Sequence, residues 1–224
     1  MNHGFDTTYS NDERHLEAIV EASRDVVVLS TGFDPAGKAA AHPPRPLQLT
    51  GPSTRLAARC VTSLKAGGWL FVYGTPAELP FWALQLSQPA RDPATQARMV
   101  FKYWIALDIE DTAPNKALKP SHLGVLMFLK ESGDKKHPVS PRLNIDAARK
   151  PHAYCTACGK TVKDWGGKKH LMNPQGAALS DVWRDLPRRS IRENVIPEDV
   201  LQRIALLTDA TKEACSHIIQ SGRG

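Results

Sequence analysis

The apolar positions of this chain fall into short unbroken runs separated by stretches of helical spacing. Val26, Val27, Val28 and Leu29 follow one another with no polar residue between them. That pattern predicts a strand from Asp25 to Leu29 buried on both faces, as inner strands of parallel α/β sheets are. Further strands are predicted at "WLFVY" (69–73), "MVFKYWIALDI" (99–109) and "LGVLMFLK" (123–130). Between them the period changes: "STRLAARCVTSLKAGG" puts Leu56, Ala57, Cys60, Val61 and Leu64 on one stripe, with Ser53 as N-cap and Gly67 as the stop. "SNDERHLEAIVEAS" (10–23) has Ser10 and Glu13 at capping-box spacing and sets Leu16, Ile19 and Val20 on one face. Residues 78–86 read as a short helix, and Pro197 starts another that carries Val200, Leu201, Ile204 and Leu207. Pro43, Pro44, Pro46 and Pro52 exclude regular helix from the segment between the first strand and the second helix. Strands and helices in this order predict an α/β fold without internal repeats. The divisions expected are an α/β unit over 1–150, a Cys- and Gly-containing insert over 151–175, and a return to the α/β unit over 176–224.

Charge and cysteine usage narrow the partners. Twenty-nine Lys and Arg against 23 Asp and Glu leave a net charge of +6, and a pI near 9.2 points toward a polyanion such as nucleic acid. The start of the chain is polar and has no secretory apolar core, and the run "GVLMFL" (124–129) is too short to cross a bilayer. A cytoplasmic protein with no membrane partner is expected. Of four cysteines only two lie close together, which does not make a disulfide framework in a chain of this size.

Those two, Cys155 and Cys158, sit in "HAYCTACGKTVKDWGGKKH" with His152 before them and His170 after. A Cys-x-x-Cys turn can aim two thiolates at one point, as tetrahedral zinc requires, and two imidazoles could complete the sphere. The alternatives are a reduced turn without metal and a redox pair. Lys163, Trp165, Lys168 and Lys169 in the same insert combine positive charge with a ring that could stack on a base; a solvated charged face has the same composition. "STGF" (30–33) ends the first strand in an open turn, where α/β proteins bind ligands. An ordinary βα turn that uses Gly32 for its backbone freedom fits as well. "YGTP" (73–76) has the same ambiguity. Cys60 and Cys215 are expected to be packing residues, and His122, with no nucleophile beside it, a structural one.

In register along residues 20–208, "LKAGGWLFVYGTPAELPFWALQL", "FKYWIALDI", "LKPSHLGVLMFLK", "YCTACGKTVKDWGGKKH", "LSDVWRDLP" and "IPEDVLQRIALLT" resemble the DNA amino-methyltransferases of the permuted class, in which the catalytic half precedes the S-adenosylmethionine half. The resemblance implies a partial Rossmann-like methyltransferase sheet, here with a small zinc-ribbon-like insert. It aligns Ser30, Thr31, Gly32 and Phe33 with the family's Ser-Pro-Pro-Tyr type motif. There the first residue and the next carbonyl hold the exocyclic amine of a flipped adenine or cytosine, and the last ring stacks on the base. Thr31 and Gly32 replace both prolines. Asp181 in "LSDVW" corresponds to a segment lining the cofactor pocket. The family then continues into a strand and an Asp-Pro-Phe-x-Gly-x-Gly turn, whereas this chain reads "DATKEACSHIIQSGRG". Gly222 and Gly224 are therefore expected to lack a preceding strand, and the strand at 25–29 to expose an apolar edge that a second chain covers.

Three readings follow. In the first, the chain is a catalytically inactive, methyltransferase-like, nucleic-acid-binding subunit of a larger complex of the defence or mobile-element type. In the second, it is a DNA amino-methyltransferase active only with a partner that completes the S-adenosylmethionine site. In the third, it is a zinc-containing scaffold.

Overall fold

The computed structural model describes residues 5–9, 21–32, 51–87, 98–110, 121–133, 136, 139, 141, 143–161, 169–190 and 195–220. The main elements in chain order are β1 (Asp6–Tyr9), β2 (Arg24–Ser30), α1 (Gly51–Ser63), β3 (Leu64–Gly74), α2 (Leu79–Ser87), β4 (Met99–Glu110), β5 (His122–Lys130), β6 (Val182–Trp183), β7 (Arg189–Ser190), α3 (Glu198–Thr208) and β8 (Cys215–Ile219). All eight strands belong to one arrangement, ordered β1-β8-β2-β3-β5-β4-β6, with β7 also pairing β4.

The unbroken apolar runs become the central strands because both faces of the sheet are covered. Val27, Leu29, Leu70, Val72, Leu126 and Phe128 pack on one face with Leu56 and Cys60 of α1 and Leu79 and Trp82 of α2. Val26, Val28, Phe71, Tyr73, Val125 and Met127 pack on the other with Val200, Leu201 and Ile204 of α3. The chain passes from α1 directly into β3, so Gly67, expected as a helix stop, lies inside the strand. It takes φ +82 there, and a Cβ would come within 2.4 Å of Val139 Cγ1. Lys130 secures this junction from below: it is 3% exposed and its ammonium donates to the carbonyls of Val61 and Leu64, each at 2.9 Å.

The C-terminal segment departs from expectation. "CSHII" forms β8, which pairs in parallel with β2 from Val26↔Cys215 to Ser30↔Ile219 and with β1 from Asp6↔Ser216 to Tyr9↔Ile219. The expected absence of a strand before Gly222 is thus corrected. So is the exposed edge at 25–29: β8 lies on one side of β2 and β3 on the other, and β2 needs no second chain to cover it. The reason is the apolar content of Ile218 and Ile219, both buried, which makes five residues sufficient for a fully enclosed strand. The helix predicted over 10–23 begins in residues outside those described.

Candidate functional site

The turn after β2 is where the parallel strands end, and hydrogen bonds from three neighbours fix it. Ser30 is fully buried. Its Oγ accepts the Ile196 N–H at 3.0 Å and lies 2.9 Å from His217 Nε2. The hydroxyl has one proton and two lone pairs, so it can serve Ile196 N–H and His217 at once, the direction of the second bond following the imidazole tautomer. His217 belongs to β8, level with Val28 of β2. Burial lowers its pKa from 6.5 to about 4, so it is neutral in the folded chain near neutral pH. The Ser30 carbonyl accepts the Gln220 N–H at 2.9 Å.

The two residues that stand in place of prolines have their own tasks. Thr31 donates its N–H to the Tyr73 carbonyl at 3.0 Å, and its hydroxyl donates to Glu78 Oε2 at 3.4 Å. Gly32 has φ +60, and a Cβ there would sit 2.0 Å from the Gln220 carbonyl oxygen. Only glycine adopts this turn without strain. Gln220 also reaches sideways, donating from Nε2 to Ser53 Oγ at 2.9 Å, so the end of β8 ties the turn to the start of α1. Phe33 lies outside the described residues. Sequence reasoning missed His217, Glu78 and Gln220. Its one available signal was the short apolar pair Ile218-Ile219, which a polar Ser-His step precedes.

Asp181 stands elsewhere on the sheet. Its carbonyl accepts the Ala106 N–H at 2.8 Å, which begins the β4–β6 pairing. Its exposed side chain is at the rim of a cavity of about 300 Å³ lined chiefly by Tyr103, Ile105, Met127, Leu179 and Trp183. From β2 to β4 is three strand spacings, about 14 Å, so Asp181 and the Ser30 turn form two separate places. The Trp183 wall is backed by Arg203, whose guanidinium carbon lies 5.2 Å from the ring centroid. Arg203 also donates to the two Asp185 carboxylate oxygens at 3.0 and 2.5 Å. Burial alone would raise the Asp185 pKa, but the hydrogen bonds and charge of Arg203 hold it below the ordinary value. An Arg203→Met variant is expected to lose about 1 kcal/mol, the scale of a cation–π contact with a partly exposed ion pair, readable as a shift in urea midpoint. No shift would remove Arg203 from the support of this wall.

The four predicted ligands, His152, Cys155, Cys158 and His170, are not brought together as one set. Among the described residues no group of three or more His, Cys, Asp or Glu converges as a metal site would require. His152 has its Nε2 2.7 Å from the Asn173 carbonyl. His170 lies exposed in a short 3-10 turn, Lys169–Leu171. Cys155 and Cys158 are free and exposed. The backbone N–H groups of Cys158 and Ala157 and the Cys158 side chain hold the Cys155 thiol below its usual pKa against a small opposing effect of burial. Cys60 and Cys215 are buried as expected, and burial pushes each up to about 12. Lys163, Trp165 and Lys168 lie outside the described residues, and Lys169 is exposed. Among the described residues no helix is long and apolar enough to cross a membrane.

No family model matches the chain. It is similar to the Type II methyltransferase M.BamHI of Bacillus amyloliquefaciens, at 35% identity over 128 residues, which are 57% of this chain and 26% of that protein. The chain therefore spans about a quarter of the length of this relative. Among solved structures, TTHA0409 of Thermus thermophilus, described as a putative DNA modification methylase and complexed with S-adenosyl-L-methionine, matches with a TM-score of 0.48 at 12% identity, covering 97% of this chain and 90% of that one. The M1.HpyAVI–SAM complex matches with a TM-score of 0.48 at 9% identity, covering 98% and 93%.

Proposed function

We propose, from the relation of this chain to a type II methyltransferase, that it is a methyltransferase-like DNA-binding subunit whose own base-facing turn does not catalyse methyl transfer. The observation that carries this reading is the state of Ser30. A residue that holds a substrate amine must offer a free acceptor toward solvent, yet this hydroxyl is 0% exposed and is shared between Ile196 N–H and His217 Nε2. Releasing it would leave two buried polar groups unpaired, at about 1–3 kcal/mol each. DNA as the partner rests on the net charge of +6 and on the family resemblance, with the Lys-rich stretch Lys163, Trp165, Lys168 and Lys169 as the contact.

One observation favours the second reading, a DNA amino-methyltransferase completed by a partner: the similarity to a type II methyltransferase at 35% identity over 128 residues. In that case S-adenosylmethionine supplies the methyl group. Asp181 fits such a ligand as a carboxylate acceptor beside an apolar wall, with no other charged group among the described residues that line that cavity. Both readings are tested together. The isolated chain is expected to bind a DNA duplex with an affinity that falls steeply as salt rises, and to show no heat of binding with S-adenosylmethionine. Salt-independent or absent DNA binding would sink the first reading. Micromolar S-adenosylmethionine binding, together with methyl incorporation into DNA, would replace it with an active enzyme.

A further inference from the structure

We propose that the cavity between β4, α3 and the segment 179–183 binds a small organic ammonium ion, an amine carried on one ring or a short branched chain. Its volume of about 300 Å³ is far beyond the voids of packed interiors, which rarely exceed a water molecule, and falls at the small end of ligand pockets. The floor is apolar and preformed. Ile105, Met127, Trp183 and Leu207 line it, each at most 3% exposed. Trp183 is held by its Nε1, which donates to the Ser180 carbonyl at 2.9 Å, and by Arg203 over the ring, so this wall is set before any ligand arrives.

The rest of the lining is open to water. Tyr103 and Ile145 also line the space and are 52% and 39% exposed, large side chains beside a volume they do not fill. Asp181 is the one charged residue that lines the cavity, since Arg203 behind Trp183 has its charge matched by Asp185. A carboxylate beside two aromatic rings and an aliphatic floor selects a cation with an apolar body. The ammonium meets Asp181 and the rings, and the body displaces water from the floor. An anion is repelled, and a neutral body lacks the charge-assisted bond. The place is not where an α/β sheet takes a nucleotide. Met127 is level with Phe71 and Phe71 with Val28, two residues short of Ser30, so the cavity lies on the flank of the sheet rather than beyond the carboxyl ends of its strands. The site is independent of whether the chain binds DNA or transfers methyl groups.

Three probes of one shape separate the contributions: phenethylamine, cationic near neutral pH; phenylethanol, neutral; and phenylacetate, anionic. Isothermal titration of the whole chain should rank them in that order, the amine at least about tenfold tighter than the alcohol, as one charge-assisted bond implies. Asp181→Asn should bring the amine down to the alcohol and leave the alcohol unchanged. The fold uses the Asp181 carbonyl, which accepts the Ala106 N–H, so the urea midpoint of this variant should match the parent; should it unfold, the ranking on the parent chain decides. Equal affinity for the three probes, no binding of the amine, or an amine affinity that survives Asp181→Asn in the folded variant would overturn the proposal. So would displacement of the amine by S-adenosylmethionine, which would give the cavity to the methyl donor. A chain that fails to bind DNA yet ranks the probes as stated retains the site.

Discussion

Restoring the two prolines to the turn, as Thr31→Pro with Gly32→Pro, is expected to cost more than about 3 kcal/mol of stability and to recover no methyl transfer. The family resemblance alone would suggest the reverse, because prolines preorganise the loop that presents a carbonyl to the amine. The local geometry decides against it. Proline fixes φ near −65°, whereas Gly32 stands at +60 with the Gln220 carbonyl where a Cβ would go. Thr31 would lose its N–H bond to Tyr73 and its hydroxyl bond to Glu78. A reversed φ and one orphaned buried carbonyl together exceed the cost of most single changes. The measurement is the urea midpoint of the double variant alongside transfer of labelled methyl to DNA. A variant as stable as the parent would show that the turn is not held as described, and one that methylates would show that only the prolines were missing.

The parts of the fold that could be read from the sequence share one property: their pattern is set by burial on a scale of a few residues. β2, β3, β4 and β5 were legible because apolar runs such as Val26–Leu29 admit no other placement between two helical layers, and α3 because Val200, Leu201, Ile204 and Leu207 keep a helical stripe. β8 was not legible. Its five residues include Ser216 and His217, polar types foreign to an inner strand, and for His217 only the partner across the sheet makes it tolerable. His217 is satisfied by Ser30, which lies 187 positions away in the chain, a pairing no local window contains. The same distance hid the function of Gln220 against Gly32 and Ser53. At the insert, spacing singled out Cys155 and Cys158, which are free and exposed. It could not say that His152 would turn to the Asn173 carbonyl, because that depends on how the chain returns from residue 160 to residue 173.

These long-range contacts bear on function as well as on folding. The Ser30 hydroxyl beside β8 is taken up by the Ile196 N–H and by His217 Nε2. A strand with an apolar residue at 217 would leave Ser30 without its side-chain partner.

Acidification is expected to weaken the fold through His217, by about 2 kcal/mol between pH 7.5 and pH 5 and by about 3 kcal/mol at pH 4. Burial lowers the pKa of this group from 6.5 to about 4, so the unfolded chain takes up a proton before the folded one does. Its contribution is therefore undiminished above pH 6.5, drains away as the pH falls toward 4, and changes little below that. Protonation of the folded chain would make both ring nitrogens donors and would place a charge on a residue 3% exposed among Val28, Ile218 and their neighbours. Urea unfolding of the parent and of His217→Gln at pH 7.5, 6, 5 and 4 isolates the effect, since the carboxylates titrate alike in both. The variant should start less stable and show a flatter loss with acid, the two curves converging as the pH falls. Parallel curves would mean that His217 is solvated enough to charge in place, and the closed Ser30–His217 contact on which catalytic silence was argued would then be open.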